Sequence, residues 1–305
     1  MWFKSAHLYR VHDLPVLPLR DLDACLADQA FRPLSGSEAK RLGWGPVTSP
    51  GPLILEHGDH RLISARCQER LLPASVIREE LEARVADREE AEGQPLRRQE
   101  KQAIKEQIYE EFLPQAFIRT QRIDLWWDTA NGLIVVNSSS RARAEDVLDL
   151  LRQTLGSLKV TPLATKMTPV RAMTDWLKQP ADRPAWLEIG DQIELRATGD
   201  SAVIRGRQVD LDGEEMQAAL ESGYQATRLG ITVNEDLSLV LADDLSLKSL
   251  RFSDAVLDEA AETETDDEKA RVEADFILMA RIMGQAIDTL IAGHGGETQP
   301  AATTP

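Results

Sequence analysis

The chain has 305 residues, enough for roughly two domains of ~150 residues each. Its formal net charge of -16 argues mildly against a protein that works by neutralising phosphates, because such proteins show a basic patch. No apolar run of about 18 residues occurs, which argues against a membrane-spanning helix.

The N-terminal segment and the cysteines favour a cytosolic protein. Residues 1–7 lack the basic region and the apolar core of a signal peptide. Cys25 and Cys67 lie far apart in the sequence, each in a pattern typical of a buried face. We therefore expect two reduced thiols and no disulfide.

Residues 1–72 predict the first, α/β part of a central domain. A strand from Lys4 to Val11 is followed by a helix with one apolar face, formed by Leu19, Leu22, Leu26 and Ala30. Residues 53–55 and 62–67 predict a hairpin that turns at Gly58-Asp59. The preceding segment, 35–52, is rich in Gly, Pro and Ser and predicts a loop.

Residues 73–112 predict a helical arm of two charged helices, separated by Gly93 and Pro95. Each helix has a narrow apolar stripe, formed by Val76, Ile77, Leu81 and Val85 in the first and by Ala103, Ile104, Ile108 and Phe112 in the second. Four cations fall near one side of the second helix: Arg97, Arg98, Lys101 and Lys105. Because Glu100 and Glu106 interleave with them, the pattern alone favours a solvated face over a row that contacts phosphates.

Residues 113–165 predict a hairpin, a helix and a short strand that complete the central domain. Alternation of apolar Ile123, Leu125 and Trp127 with polar residues predicts a strand with one buried face, although Trp126 breaks the pattern. Asn131-Gly132 offers the two positive φ angles of a tight turn, so we expect residues 133–136 to return antiparallel.

The helix of this unit has signals at both ends. Ser140 is a suitable N-cap, and Gly156 stands where a left-handed C-cap belongs. Its apolar residues fall at helical spacing: Val147, Leu148, Leu151 and Leu155. A short strand through Leu158 and Val160 is expected to follow.

Residues 166–252 predict a second, strand-rich lobe. A helix begins at Thr168-Pro169, and strands are predicted at residues 193–197, 202–205, 224–233 and 237–241, with a short helix over 213–222. Residues 253–297 predict an acidic segment followed by a helix from about Asp267 to Ala292. Residues 298–305 predict a disordered tail.

These elements together predict an α+β fold. Antiparallel hairpin sheets pack with helices, a helical hairpin projects, and the second lobe adds further strands.

The sequence contains no motif for a catalytic nucleophile, a phosphate-binding loop or a dinucleotide site. Residues 56–60 are the one cluster of metal-ligand types, but His57 and His60 lie on a predicted turn, where they would not converge as they would on one helix face. A solvated turn is the favoured interpretation. We therefore predict that the protein is not an enzyme and has no cofactor or metal.

Four further cations are candidates for contact with an anion. Arg119 and Arg122 begin the central strand, and Arg141 and Arg143 lie in the first turn of the following helix. Cations at a helix N-terminus oppose the macrodipole by about 0.3 to 1 kcal/mol each, unless an anion or nearby carboxylates such as Asp146 and Asp149 offset them. The structural explanation is slightly favoured.

Short motifs in a fixed order along most of the chain resemble the RdgC family of bacterial recombination-associated proteins. They are Trp2-Phe3-Lys4, Leu8-Tyr9-Arg10, Gly43-Trp44, Leu72-Pro73, Val76-Ile77, Leu113-Pro114, Ala116-Phe117, Asn131-Gly132-Leu133-Ile134, Ala144-Glu145-Asp146, Leu150-Leu151-Arg152, Leu155-Gly156-Ser157-Leu158 and Ala274-Asp275-Phe276-Ile277-Leu278-Met279. The resemblance covers residues 2 to about 297. Each motif alone is weakly specific, and their order carries the likeness.

The resemblance implies a ring-shaped homodimer that encircles duplex DNA, binds it without sequence preference and restrains the recombinase RecA. It implies a cytoplasmic, nucleoid-associated protein that also has single-stranded DNA as a possible partner. It places Phe117 in a gate-like dimer contact, opposite Arg207 and Gln208, whereas the residue pattern alone predicts that Phe117 is ordinary core. It also favours the row of cations on the arm as a phosphate contact.

The distribution of acidic and basic residues over the surface distinguishes two functions, DNA binding and contact with other proteins. Residues 254–275 contain ten acidic side chains against Lys269 and Arg271, so the remainder of the chain is nearer neutral. Basic residues gathered on one inner surface would support DNA binding despite the net charge. The alternative is an acidic adaptor that contacts recombination proteins without binding DNA.

Overall fold

The computed structural model describes residues 2–12, 19–199, 201–262 and 267–298. Its first half contains β1 (His7–Val11), α1 (Leu19–Asp28), β2 (Lys40–Gly45), β3 (Ile54–His57), β4 (His60–Leu71), α2 (Ala74–Glu92), α3 (Arg98–Phe112), β5 (Phe117–Asp128), β6 (Leu133–Val136), α4 (Arg141–Leu155) and β7 (Val160–Pro162). Its second half contains α5 (Pro169–Lys178), β8 (Leu187–Ala197), β9 (Val203–Arg207), α6 (Glu214–Glu221), β10 (Tyr224–Val233), β11 (Leu237–Ala242), β12 (Leu247–Phe252), α7 (Asp254–Ala261) and α8 (Glu268–Gly293).

The fold is α+β, as predicted, and every pair of neighbouring strands is antiparallel. The central sheet has the order β2-β4-β5-β6-β1-β7, with β3 paired to β4. The second sheet has the order β12-β11-β10-β8-β9. The arm formed by α2 and α3 is inserted between β4 and β5, so it projects from one end of the central sheet.

The central sheet is buried on both faces at the end remote from the arm. On one face Ile123, Leu125 and Trp127 pack in a core that includes residues of α1 and α4. On the other face Trp126 belongs to the core shared with the second lobe and α8. The prediction of one buried face was wrong for residues 123–128, all of which are buried. Trp126 breaks the alternation because it faces a second hydrophobic layer.

The prediction of a loop over residues 35–52 was wrong for residues 40–45, which form strand β2. It forms the edge of the central sheet, with Leu42 opposite Cys67 and Trp44 opposite Ala65. A Cβ on Gly43 would lie 2.6 Å from the Cα of Phe31, so glycine permits this close approach of the two backbones. The glycines from which a loop was predicted therefore belong to a strand.

The β5–β6 hairpin is confirmed, but its turn is longer than predicted. The strands are separated by residues 129–132, and of the Asn131-Gly132 pair only Gly132 has a positive φ, at 60°. Asp128 accepts hydrogen bonds from the backbone N–H of Asn131 at 3.0 Å and from its side chain at 2.8 Å. An aspartate that binds the backbone of a four-residue loop replaces the expected two-residue turn.

Local capping signals predicted helix α4 well. The Ser140 side chain accepts a hydrogen bond from the backbone N–H of Arg143, and Gly156 is left-handed with φ 75°. Val147, Leu148 and Leu151 are buried, as expected. The strand expected through Leu158 and Val160 begins at Val160.

The arm is held by one thin apolar seam and by ion pairs. Ile77 and Val85 of α2 pack against Ile104 and Ile108 of α3. Arg84 bridges the helices, because its guanidinium contacts Glu80 at 2.7 Å and Glu111 at 2.9 Å. The helical hairpin is confirmed, and Gly93 ends α2 in a left-handed conformation.

The second lobe contains the predicted strands and one unpredicted strand, β12, and the segment that follows it begins with an unpredicted helix, α7. Strand β12 lies at one edge of its sheet, and the bridge of Leu247 to Ala6 joins that edge to the start of the chain. The long helix α8 is apolar and long enough to cross a membrane by length and composition. Its buried side chains, among them Phe276, Met279 and Met283, lie in the core shared with the second lobe.

Some predicted residues lie outside the described part of the chain, and the others can be compared with it. Leu22 and Leu26 of α1 are buried, Ala30 is exposed, and the side chain of Leu19 lies outside the described set. Apart from Thr298, the tail predicted at 298–305 lies outside the described residues, as do residues 263–266 of the acidic segment. Cys25 is half-buried, Cys67 is buried, and both are free thiols.

Two buried histidines make the fold sensitive to acid. His7 on β1 lies at the contact with the second lobe, with its Nε2 3.0 Å from Nζ of Lys248. Burial, and next the charge of Lys248, lower the pKa of His7 below its ordinary value of 6.5. Burial also lowers the pKa of His294, which is fully buried and bonds the Leu290 carbonyl.

We expect stability to fall as the pH drops below about 6.5, where the unfolded histidines begin to bind protons that the folded state refuses. Each histidine can contribute at most about 1.4 kcal/mol per pH unit. Urea unfolding at about pH 7.5 and about pH 5.5 measures the effect, since most carboxylates titrate lower. His7→Gln should reduce the pH dependence, and an unchanged dependence in that variant would contradict this account.

Candidate nucleic-acid interface

The eight cations predicted to contact phosphate lie on or beside three elements. Arg97, Arg98, Lys101 and Lys105 are on or beside α3 of the arm. Arg119 and Arg122 are on β5, and Arg141 and Arg143 are in the first turn of α4. The structure of one chain brings some of them together and separates others.

The arm is not a basic surface as a whole. Residues 73–112 contain seven Lys and Arg against eleven Asp and Glu. Lys101 faces α2, where its Nζ lies 2.8 Å from Glu89. Arg97, Arg98 and Lys105 are exposed and have no ion-pair partner among the described residues. These three remain available to an anion, whereas Lys101 is partly neutralised.

Arg119 and Arg143 converge on one carboxylate. Nε of Arg119 donates to Glu69 at 2.9 Å, and Nη2 of Arg143 lies 3.8 Å from the same oxygen. The hydrogen bond from Arg119 is the main reason why the pKa of Glu69 lies below its usual range. Beside them Lys40 pairs with Asp146. This cluster is closely balanced in charge, so it is a weak anion site by itself.

Arg122 lies on the opposite face of β5 from Arg119, since side chains alternate along a strand. Its register partner on β4 is Arg66, so two guanidinium groups occupy one row of the same face. Nε of Arg122 donates to the buried Asp124 at 2.7 Å, and Ser64 donates to the same oxygen at 2.9 Å. Arg66 has no ion-pair partner among the described residues, so this row retains positive charge.

The same face continues along β4 and β5 toward the arm, and across the sheet to the end of β6. Next to the Arg66–Arg122 row, the side chain of Gln68 donates to Thr120 at 3.0 Å. On the other side, the exposed Lys4 is attached through Asn137, whose side chain accepts from the Lys4 backbone at 3.1 Å. We define this surface as the open face; it consists of Lys4, Arg66, Gln68, Thr120 and Arg122.

Sequence reasoning missed Arg66 and Lys4. Nothing near Arg66 distinguishes it from other polar residues of β4, and its significance arises from register with a residue 56 positions away. Its side chain lies over Gly45 of β2, where a Cβ would come within 2.8 Å of Nε. The glycine therefore gives the Arg66 side chain its place on the sheet.

Two nearby arginines on this side of the sheet have structural roles. Arg70 donates to the carbonyls of Gly36 at 3.0 Å, Glu38 at 3.1 Å and Pro114 at 2.7 Å, which fastens the base of the arm. Arg41 pairs with Glu38. Neither guanidinium is well placed for an external anion.

Arg141 is satisfied within its own helix. Its Nε donates to Glu145, one turn later, at 2.8 Å. That carboxylate offsets the unfavourable position of a cation at the helix N-terminus. The expected carboxylates do not, because Asp146 pairs with Lys40 and Asp149 with Arg152. Arg141 also lies on α4 apart from the open face.

Phe117 is not core within one chain. It begins β5 with its side chain 86% exposed, and its neighbours Ile118 and Leu71 are also exposed. A large exposed apolar group of this kind marks an interaction surface. Arg207 and Gln208 end the edge strand β9 of the second lobe, and Gln208 has an unusual positive φ of 54°.

The described residues contain no group of three or more His, Cys, Asp or Glu side chains that could hold a metal ion. His57 and His60 lie opposite each other at a hairpin turn. His60 accepts a hydrogen bond from the indole N–H of Trp126 at 3.2 Å. This arrangement agrees with the interpretation of residues 56–60 as a turn.

A family model described as "Putative exonuclease, RdgC" matches residues 1–297. The recombination-associated protein RdgC of Mannheimia succiniciproducens is 37% identical over 297 residues, which cover 97% of this chain and 98% of the relative. The protein of that name from Pasteurella multocida is 36% identical over 298 residues, covering 97% and 98%. The one from Aeromonas hydrophila is 36% identical over 302 residues, covering 98% and 99%.

Proposed function

The chain belongs to the RdgC family of recombination-associated proteins, and from this premise we propose that it binds duplex DNA without sequence preference, as a homodimeric ring that restrains RecA. Single-stranded DNA is a second partner in this proposal, because it carries the same phosphates. The protein would act in the cytoplasm, at the nucleoid, by binding and not by catalysis.

The observation that carries the proposal is the open face of the central sheet. Arg66 and Arg122 place two guanidinium groups on one surface, with the amide of Gln68 and the hydroxyl of Thr120 beside them. The exposed Lys4 is joined to this surface by its backbone, through Asn137. Asp124 is bonded to Arg122 of this row and is buried beneath it. Guanidinium, ammonium, amide and hydroxyl groups are the side chains that contact phosphate oxygens.

The local charge also explains how an acidic protein could bind DNA. Fields from exposed charges are screened beyond about 8 to 10 Å, so the charge at the contact surface matters more than the net charge of -16. Phosphate contacts carry no base information, so sequence preference would be weak. Occupation of DNA, or direct contact with RecA, would then restrain the recombinase.

Salt dependence is the direct test. Fluorescence anisotropy with a labelled duplex should give an affinity that falls with salt, with a slope of about -0.9 per phosphate neutralised, or roughly -3 for the three cations of the open face. Two duplexes of unrelated sequence should behave alike. A flat salt response would contradict the proposal, and cleavage of the duplex in the presence of Mg²⁺ would contradict the claim that the protein only binds.

The net charge favours one alternative, an acidic adaptor that contacts recombination proteins without DNA. It predicts that the protein retains RecA after all DNA has been removed by nuclease. It also predicts no measurable affinity for duplex DNA at low salt. The anisotropy experiment therefore separates the two proposals.

The ring part of the proposal rests on family resemblance and on the exposure of Phe117. A ring needs two separate interfaces between the same two chains. We propose that Phe117 contributes to one contact and that Arg207 and Gln208 lie on its other side. The planar donors of Arg207 could hold a partner backbone or carboxylate.

Phe117→Ala should weaken the dimer by about 2 kcal/mol, close to a 30-fold rise in the dimer dissociation constant, because exposed aromatics at interfaces are frequent hot spots. Thermal unfolding of the monomer should change little, since the ring is exposed there. Sedimentation measures the first quantity. Tyr109→Ala, at another exposed aromatic on the arm, is the control. A dimer unaffected by Phe117→Ala would remove Phe117 from the interface.

A further inference from the structure

The outward face of the second sheet contains a basic cavity. Its volume is about 480 Å³. Four cations line it, Arg205, Arg207, Arg228 and Lys248, together with the single carboxylate of Glu194. Because the ammonium of Lys248 is bonded to His7 and to the Ser139 carbonyl, the three guanidinium groups supply the main positive charge, against the one carboxylate of Glu194.

The register of neighbouring strands brings the charged side chains of the cavity together. Arg205 on β9, Glu194 on β8 and Arg228 on β10 are direct register partners, so they form one row on one face. Arg207 lies in the next row, opposite Gln192. Leu195 and Leu229, on the other face of the same strands, lie in the core, so this row points outward.

Glu194 fixes the positions of the guanidinium groups. It is only 3% exposed and accepts hydrogen bonds from Arg205 at 2.8 Å and Arg196 at 3.0 Å, with Arg228 3.9 Å away. Thr227, at a bulge of β10, donates to it at 3.1 Å. Burial would raise the pKa of Glu194, but these hydrogen bonds outweigh it and hold the pKa below its ordinary value.

The result is a carboxylate that stays ionised beneath a layer of exposed guanidinium groups. Arg196, Arg205 and Arg228 keep more than half of their side-chain surface accessible while they are anchored. Donors already oriented lose less entropy when they bind an oxyanion. Within one chain Arg207 is exposed and has no ion-pair partner among the described residues, so its guanidinium can add a further donor to the cavity.

Two features favour an acidic peptide over nucleic acid as the occupant. The cavity is concave and partly apolar, with Ile193 and Val240 in its lining and no aromatic side chain for base stacking. Strand β9 forms the edge of the sheet, bonded only to β8 among the described strands, with Val203 and Ile204 exposed. A peptide added as a strand to such an edge would place alternate side chains on the face of the cavity.

We propose that this cavity binds a carboxylate-rich segment of a partner protein, which adds to the edge of β9 and places acidic side chains against Arg205, Arg207 and Arg228. The inference does not depend on DNA binding by the central sheet. It shares Arg207 with the proposed dimer contact, so the test must also measure the oligomeric state.

The test uses the full chain and a short fluorescein-labelled peptide that alternates aspartate and valine, with an asparagine version as the matched probe. Anisotropy should show saturable binding of the aspartate peptide and at least tenfold weaker binding of the asparagine peptide. Arg207→Ala should weaken binding about tenfold, the effect of one charged hydrogen bond. Arg171→Ala, at an exposed arginine of α5, should leave binding unchanged.

Glu194→Gln tests the anchoring role. Net charge alone predicts tighter binding of the acidic peptide when a carboxylate is removed, whereas loss of the anchor predicts weaker binding. We expect several-fold weaker binding, checked against thermal unfolding to confirm that the variant folds. Tighter binding would overturn the anchoring role.

Three other outcomes would overturn the proposal. Equal binding of the two peptides would show that carboxylates are not recognised. Full displacement of the peptide by duplex DNA, with Arg207→Ala weakening DNA equally, would make the cavity a phosphate site. Peptide binding that occurs only with dissociation of the dimer would assign the cavity to a second copy of the chain. Failure of the wild type to bind DNA while the peptide binds would count only against the proposed DNA binding.

Discussion

Replacement of Trp126 by alanine is expected to lower the free energy of unfolding by about 3 to 5 kcal/mol, the cost of removing a buried Trp. Trp126 is fully buried between the central sheet and α8, and a Cβ on Gly284 would lie 3.6 Å from its ring. Loss of this ring would leave a void in the core that joins the two lobes. Urea unfolding, followed by fluorescence and by circular dichroism, measures the loss.

Trp127 provides a matched control for the polar part of the effect. It is equally buried, in the core on the opposite face, but its indole N–H has no hydrogen-bond partner among the residues that the structure describes. The indole N–H of Trp126 donates to His60 at 3.2 Å. Trp126→Phe should therefore cost about 1 kcal/mol more than Trp127→Phe. Equal costs would show that the bond to His60 contributes nothing to stability.

The same residue illustrates what the sequence could not reveal. The alternation over residues 123–128 predicts a strand with one buried face. A period of two shows which residues share a face, but it does not show what covers each face. The second layer comes from α8, about 150 positions later in the chain. Local signals were sufficient where a feature is local, as with the Ser140 cap, the Gly156 C-cap and the end of α2 at Gly93.

The two strands that the sequence did not predict lie at the edges of sheets. Strands β2 and β12 each pair with one neighbour in their sheet, and their sequences carry weak alternation or breaking glycines. An edge strand is specified mainly by its partner. The resemblance to a family indicated the class of function. No motif could show which cations share a surface, because the register between distant strands determines which side chains lie together.

Removal of the guanidinium groups of Arg66 and Arg122 should have the largest effect on DNA binding. Arg66→Ala with Arg122→Gln is expected to weaken duplex binding about 100-fold at low salt, at about 1.4 kcal/mol for each charged hydrogen bond. The slope of log affinity against log salt should decrease by about two, independent of sequence. Anisotropy with two unrelated duplexes measures both quantities.

Comparison with the arm makes this prediction specific. Lys101→Glu with Lys105→Glu reverses two cations on α3, one of which is already paired with Glu89. If the open face is the contact surface, this pair should weaken DNA binding much less than the Arg66 and Arg122 pair. The reverse order would assign the contact to the arm. Arg66→Ala alone keeps the Arg122–Asp124 ion pair, so its loss of affinity cannot be attributed to an unpaired buried carboxylate.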